Sequence, residues 1–358
     1  MTVSQSPQAG ARHARHAGLH YGYDHVPGIS RRKRGRHFEY FDSHGRRIVN
    51  DAVIGRCRKL AVPPAWTRVW ISALANSHLQ ATGFDARGRK QYRYHVDWRA
   101  VRDRTKFENL SAFASELSRI RAHVSAALAR DELTRERVIA AVVRLLDRTG
   151  LRIGNDRYLR ENHTSGLATI SKKHASLHGK EIELDFPGKG GKVWHGTVLA
   201  PRVARVVAQC QGIPGYRLFN YKDAESKAHE VGSAQINHWL HEVTGNPELT
   251  AKDFRTWHAC ILFIEAAGRR APEQRPAALK ELLAQVGAEL GNTPAILKKS
   301  YIHPNLIDLW KAGRFAEPEW RRISSRQRPR RLSKTEALFL RWLVRQYPAH
   351  AHSATATD

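Results

Sequence analysis

The sequence predicts an α+β chain: a small β-rich N-terminal domain followed by a larger, mainly α-helical domain that carries a small β-sheet or hairpin. Three observations predict it. Apolar residues alternate in short runs broken by Gly and Asp from Phe38 to about Tyr94. They recur at three- and four-residue steps from Leu110 onward, and a stretch between Gly166 and Leu199 returns to period two. Alternation suits a half-buried strand and the longer step suits one face of a helix.

Taken in order, residues 1–27 read as a basic disordered arm, rich in Ala, Gly, Arg and His and without periodicity. The run Arg31-Arg32-Lys33-Arg34 with Arg36 follows, either a solvated charge cluster or a phosphate contact. Residues 28–102 form the β-rich domain. In it Phe38-Glu39-Tyr40-Phe41, Val69-Trp70-Ile71 and His78-Leu79-Gln80-Ala81 read as strands. Asp42-Ser43-His44-Gly45 and Asp85-Ala86-Arg87-Gly88 read as turns, and Asp51 to Leu60 as a short helix. Residues 103–320 form the larger domain. Its periodicity predicts helices over Leu110–Ala127 and Arg135–Thr149, the second ending at Gly150 as a left-handed cap. Strands are expected at Leu167–Ile170, around Ile182, Leu184 and Phe186, and from Val193 to Val198, with Pro187-Gly188-Lys189-Gly190-Gly191-Lys192 as a hairpin loop. Helices are expected from about Ala224 to the end. Residues 321–358 comprise an Arg-rich link (Arg321, Arg322, Arg326, Arg328, Arg330, Arg331), a last helix opened by the capping box Ser333-Lys334-Thr335-Glu336, and a tail.

Composition excludes several classes. With 60 Lys+Arg against 33 Asp+Glu, the 358-residue chain carries a formal charge of +27. Such a charge implies a polyanionic partner, because phosphate contact releases condensed counterions. No apolar run approaches the roughly 18 residues of a spanning helix, and no amphipathic basic helix of the interfacial kind is seen, so nucleic acid is expected rather than a membrane. Arg12, His13, Arg15 and His16, with no apolar stretch behind them, do not read as a secretory signal. Three scattered cysteines, Cys57, Cys210 and Cys260, give neither a disulfide framework nor a zinc spacing. Gly188 to Lys192 lacks the phosphate-loop spacing, and His174 and His178 lack the Glu of a zincin helix. No metal site and no cofactor are expected.

Taken singly, the remaining candidates are bland. Arg152 follows a helix end, where an Arg often bonds the last carbonyls; Lys189 sits between glycines at a turn; Tyr301 is one of ten tyrosines. Their order is what matters. Leu151-Arg152-Ile153-Gly154-Asn155, then Tyr158 and Glu161-Asn162-His163-Thr164-Ser165-Gly166-Leu167-Ala168-Thr169, resembles the active-site segment of type IB DNA topoisomerases of the poxvirus and bacterial kind. Phe186-Pro187-Gly188-Lys189 resembles that family's hairpin with its catalytic lysine, and Lys252-Asp253-Phe254-Arg255-Thr256 its KDLRT motif. Lys298-Lys299-Ser300-Tyr301 is similar to the segment bearing the nucleophile, and Gly88-Arg89-Lys90-Gln91-Tyr92-Arg93-Tyr94 to the GRKQYxY stretch of the DNA-binding β domain. The resemblance runs colinearly from about Gly28 to Tyr301 and beyond.

The resemblance implies a clamp around double-stranded DNA, acting as a monomer without ATP or metal in the cytoplasm, at a bacterial nucleoid. It implies Tyr301 as nucleophile, Arg152 and Arg255 as cations on the phosphate, and Lys189 as general acid to the departing 5′-oxygen. A guanidinium suits the phosphate because its planar fork matches the oxygens and stays charged. Nine residues before Tyr301, where the poxvirus pattern has a histidine, stands Asn292, as in the bacterial branch. It can donate an amide hydrogen bond but no charge. The implied DNA-facing set is Arg89, Lys90, Gln91, Tyr92 and Tyr94, with Tyr158, Asn162 and Thr164. Two alternatives stand beside this reading: a tyrosine site-specific recombinase, which shares the Arg, Lys and Tyr set, and a non-enzymatic basic DNA-binding protein.

Overall fold

The computed structural model describes residues 7–269, 275–317, 320 and 328–348, and the chain divides into two compact units, residues 1–106 and 107–358. Arg321, Arg322 and Arg326 of the Arg-rich link lie outside the described residues, as do the side chains of Tyr158 and Asn162.

The first unit is built on an antiparallel five-stranded sheet. Its strands are β1 (Ile29–Arg34), β2 (His37–Phe41), β3 (Thr67–Ile71), β4 (Leu79–Phe84) and β5 (Lys90–Tyr94), in the order β2-β1-β3-β4-β5. One face buries Ile29, Tyr40, Val69, Ile71 and Ala81 against Cys57 and Val62. Cys57 comes from a helix, Asp51–Lys59, whose N-cap Asn50 accepts from the N–H groups of Ala52 and Val53. Of the early basic run, Arg31 is structural: its guanidinium donates to the carbonyls of Val62, Pro63 and Trp66 at 2.7, 2.8 and 3.2 Å.

Over the described residues of the expected disordered arm the chain is ordered. Residues Pro7–His16 form helix α1, and Ala14 and Leu19 bury against Trp98, with Tyr21 packed beside them. Alanine favours helix, and two apolar side chains suffice to dock a short one when an aromatic surface receives them. The helix Asp51–Lys59 becomes α2.

The second unit is mainly helical. Helix α3 (Val96–Ala127) starts well before the expected Leu110 and runs across the division between units. Helix α4 (Arg135–Thr149) has the predicted bounds. Thr134 caps its N-terminus, and Gly150 ends it at φ 60°, its N–H donating to the Leu146 carbonyl. Val138, Ile139, Val142, Val143, Leu145 and Leu146 are all buried. Each such side chain stabilises the core by roughly 1.5–3 kcal/mol. Helix α5 (Asp156–Asn162) follows.

Leu167–Thr169 is a 3-10 turn rather than the expected strand. All three residues are buried, so the apolar run reflects burial on every side, which a strand and a tight turn share. The antiparallel sheet comprises β6 (Ala175–His178), β7 (Glu181–Pro187) and β8 (Val193–Leu199) in that order. Ile182, Leu184 and Phe186 point into the core, as their alternation predicted. His178 ends β6 and is exposed, and among the described residues no group of three or more His, Cys, Asp or Glu could hold a metal ion. After α6 (Pro201–Gln211) comes a small hairpin, β9 (Asn220–Lys222) and β10 (Ala228–Glu230), where helix was expected from Ala224. Three-residue strands give too little alternation to register as strands.

The rest is helical: α7 (Ser233–Thr244), α8 (Ala251–Gly268), α9 (Arg275–Leu290), α10 (Pro294–Ser300), α11 (Pro304–Lys311) and α12 (Lys334–Gln346). Ser333 and Glu336 form the expected capping box at the start of α12. No helix of the described residues is long and apolar enough to cross a membrane.

Candidate active site

The site gathers the ends of α4, α9 and α10, the start of α8 and the β7–β8 hairpin. Helix α8 is the rigid member. Its N-cap Thr250 and Asp253 form a capping box, with Asp253 Oδ2 accepting from the Thr250 N–H at 2.7 Å. Within Lys252-Asp253-Phe254-Arg255-Thr256, Asp253 therefore shapes the helix start, Phe254 and Thr256 are buried, and Arg255 reaches the site.

Arg255 is 2% exposed, so its position is set by what it bonds inside the protein. Nη1 donates to the Gly150 carbonyl at 2.7 Å and Nη2 to the Leu290 carbonyl at 2.5 Å. It thereby ties together the C-terminal ends of α4 and α9. Gly150 is required there twice over: its φ is positive, and a Cβ would stand 2.9 Å from the His258 side chain. The guanidinium carbon lies 5.2 Å from the centre of the Tyr301 ring. Burial, and next the charge of Arg152, push its pKa down to about 10.

Arg152 stands on the loop after Gly150. That loop is bonded to the hairpin root in two steps. Leu167 and Ala168 donate their N–H to the carbonyls of Arg152 and Ile153 at 2.9 and 2.7 Å, and Ser165 donates to Pro187 at 2.7 Å. The loop can lie this close because Gly154 and Gly166 pass backbone to backbone, with Gly154 at φ +77°. Arg152 Nη2 donates to Asn292 Oδ1 at 2.7 Å. A guanidinium can only donate, so this bond fixes the amide orientation. Asn292 is buried, and its Nδ2 has no hydrogen-bond partner. A buried donor left unmade is costly, which marks that nitrogen as the group poised for a further acceptor.

Tyr301 is the C-cap of α10 and 9% exposed. Burial raises its pKa, but the positive charges of Arg255, Arg152 and Lys252 outweigh burial and hold the phenol below its ordinary 10.0. Lys189 lies at the exposed tip of the β7–β8 hairpin, where Gly190 and Gly191 take φ of 82° and 78°. Its ammonium is pushed below its ordinary value by surrounding protein, and next by the like charge of Arg152. Arg152 thus meets Asn292 by a hydrogen bond, and Tyr301, Arg255 and Lys189 through charge. Lys252, one helical turn before Arg255, joins them by lowering the Tyr301 pKa, and that spacing is the signal in the sequence. His303 is buried as the N-cap of α11.

The β5 candidates look different. Asp85 holds both Arg89, at 2.8 Å from Nη2, and Gln91, at 2.9 Å from Nε2. Lys90 pairs with Asp24 at 2.5 Å. Tyr92 and Tyr94 stack 6.1 Å apart, and Tyr94 leans on the cluster of Ala14, Leu19 and Trp98. Thr164 is half-buried beside the Arg152 loop.

Residues 95–310 match the family described as eukaryotic DNA topoisomerase I, catalytic core, and residues 37–85 match bacterial DNA topoisomerase IB, N-terminal domain. The DNA topoisomerase 1B of Acanthamoeba polyphaga mimivirus is 31% identical over 301 residues, 80% of this chain and 88% of that protein. The DNA topoisomerase 1B of vaccinia virus (strain Copenhagen) is 26% identical over 265 residues, 70% of this chain and 78% of its own. DNA topoisomerase 1 alpha of Arabidopsis thaliana is 27% identical over 170 residues, 47% of this chain and 17% of its own.

Proposed function

The chain belongs to the type IB DNA topoisomerase family, and on that footing we propose that it relaxes supercoiled duplex DNA through a transient 3′-phosphotyrosyl link made by Tyr301. Membership of this isomerase family displaces the recombinase and the non-enzymatic DNA-binding protein. The observation that carries the mechanism is a buried Tyr301 whose ring centre lies 5.2 Å from the Arg255 guanidinium, with the charges of Arg255, Arg152 and Lys252 lowering the phenol's pKa.

The Tyr301 oxygen attacks a backbone phosphorus, its proton leaving to solvent, and the bond from phosphorus to the 5′-oxygen breaks. Lys189 gives its proton to that oxygen. Its lowered pKa makes it a stronger acid, closer to the pH at which it must act. Arg152, the remaining N–H groups of Arg255, and the Asn292 amide face the non-bridging oxygens, where charge builds up. These two fixed cations supply there what a metal ion supplies elsewhere. After the duplex swivels, the 5′-hydroxyl attacks back and frees Tyr301. The phosphotyrosyl bond keeps the energy of the phosphodiester, so the cycle runs without ATP. Duplex DNA is the partner, held by a monomer at a bacterial nucleoid, and β5 contributes Arg89, Lys90 and Gln91 to the contact.

The test is a denaturing gel of the protein mixed with end-labelled duplex, without ATP or Mg²⁺. The unmodified chain should carry label from the 3′-phosphate side of the nick. Tyr301→Phe should form no adduct and relax no plasmid while binding duplex normally, since one lost oxygen barely alters the surface. An adduct surviving in Tyr301→Phe defeats the assignment.

A further inference from the structure

Helix α12 lies beyond the family-matched core, which ends at residue 310. Its two ends are nonetheless bonded to the two segments that carry Arg255 and Tyr301. At its first turn Glu336, 8% exposed, accepts from Trp257 Nε1 at 3.1 Å. Trp257 stands two residues beyond Arg255 on α8. The same carboxylate is held by Arg121 of α3 at 2.6 and 2.9 Å, and by the Ser333 N–H at 2.7 Å. Arg121 also grips Asp147 of α4 at 2.8 and 2.9 Å, one turn before the Gly150 carbonyl that anchors Arg255.

Just past the other end of α12, the Tyr347 hydroxyl lies 3.0 Å from His303 Nε2. His303 stands two residues beyond Tyr301. Its Nδ1 accepts from the Asn305 backbone N–H at 3.2 Å. A main-chain N–H can only donate, so that ring nitrogen carries no proton and Nε2–H is the donor to Tyr347. Between the two ends, Phe339 stacks on Trp257 at 5.0 Å and Trp342 meets His303 edge-on at 5.0 Å.

We propose that α12 is a positioning brace for the reaction, with Glu336 setting Arg255 through Trp257 and Tyr347 setting Tyr301 through His303. The inference rests on the roles given to Tyr301 and Arg255 above. The need for a brace is local. Tyr301 caps a seven-residue helix at φ −135° and ψ −34°, outside helical geometry, so α10 does not itself fix the phenol. Arg255 must meet that phenol within about 0.5 Å of its productive place, the usual tolerance of a catalytic constellation. One helix bonded beyond both residues sets their separation as a single quantity. The other role open to α12 is to cover apolar surface, which would affect stability alone.

The two roles separate in the rate constant of a folded molecule. Tyr347→Phe keeps the ring and its packing and loses the bond to His303. Single-turnover cleavage at saturating duplex, normalised to active sites counted by adduct end point, should fall about fivefold to tenfold, the worth of one hydrogen bond acting on the reacting pair. The duplex Kd should stay within about twofold, so the loss appears in kcat and not in KM. Loss of stability alone lowers the number of active molecules and leaves this constant unchanged. A wild-type rate constant overturns the proposal, whatever happens to Tm. Should Tyr347→Phe fail to fold, the same comparison is read from Trp257→Phe, which keeps an aromatic ring and loses the N–H to Glu336. If the underlying reading fails instead, the unmodified chain forms no adduct.

Discussion

The cations of the candidate active site and those of β5 are held in opposite ways. Arg255 and Arg152 bond neutral oxygens: the carbonyls of Gly150 and Leu290, and the amide oxygen of Asn292. Arg89 and Lys90 bond carboxylates, Asp85 and Asp24, and Asp85 also takes Gln91. A neutral acceptor orients a guanidinium and leaves its charge undiminished, whereas a carboxylate orients it and cancels it. Asp85 is firmly ionised: its bonds to Arg89, first by the side chain, pull its pKa down to about 2. In a low-dielectric site the preserved charge is felt strongly by the Tyr301 phenol. On this half-buried edge strand the carboxylates prevent a bare basic edge.

The largest expected departure concerns Lys189, the cation of the site that lies exposed on a hairpin. Lys189→Ala should slow cleavage by roughly 10²- to 10⁴-fold, the span of proton-transfer catalysis. On a duplex whose bridging 5′-oxygen is replaced by sulfur, most of that loss should vanish, because a thiolate leaves without a proton. Equal defects on both substrates would mean that Lys189 acts through charge alone. The proton donor would then be another group.

Arg255 tests the neutral anchoring directly. Arg255→Ala should cost roughly 10²- to 10³-fold in cleavage, with no recovery on the sulfur substrate, since its charge faces the non-bridging oxygens. Arg255→Lys should recover little of it, because an ammonium cannot bond the two carbonyls and still present a planar fork to the phosphate. A lysine variant near wild-type rate would show that charge suffices and geometry is secondary.

Arg152 acts on two pKa values at once, so its removal is best read in a pH profile. Its positive charge favours the Tyr301 phenolate and disfavours the Lys189 ammonium, and both groups titrate below their ordinary values. Arg152→Ala should raise both: the phenolate loses a stabilising charge and the ammonium loses a repelling one. The rising limb of single-turnover cleavage and its alkaline fall should therefore move to higher pH together. Movement of one limb alone would separate Arg152 from the group whose limb stays.

The smallest effect belongs to β5. Asp85→Asn removes the negative charge yet keeps an acceptor for Arg89 and Gln91. Duplex affinity at low salt should rise by about threefold, as expected for an exposed pair. The salt dependence should steepen because one more cation meets phosphate. A fall in affinity would assign Asp85 to orienting its neighbours instead of masking them.

Much of this arrangement was legible in the chain itself. Long periodic segments read cleanly: α4 has its predicted bounds, Gly150 caps it, and Ser333 with Glu336 opens α12. Short segments misled. Leu167–Thr169 is a turn where alternation suggested a strand, and β9 and β10 are too short to show a period. Residues 1–27 read as a basic disordered arm because few apolar side chains, Ala14, Leu19 and Tyr21 among them, dock this stretch around Trp98. The types and order of Arg152, Lys189, Arg255, Asn292 and Tyr301 could likewise be read in one dimension.

By itself the sequence determined the α+β class, the basic charge, the helix caps and the identity of the residues offered for chemistry. The first three depend on local propensity, periodicity and composition, which neighbours along the chain decide; the last is what the colinear resemblance to the family's short motifs implies. Only the tertiary structure decided that the Gly150 and Leu290 carbonyls anchor Arg255, that Asn292 turns its oxygen to Arg152, and that Lys252 adds to the charge on Tyr301. It also decided that Asp85 and Asp24 occupy the β5 cations and that α12 reaches back to Trp257 and His303. Apart from Asp85 and its near neighbours Arg89 and Gln91, each of these is a meeting of groups far apart in sequence. Its strength falls steeply with distance and depends on how far water is excluded, and both are properties of the packed chain.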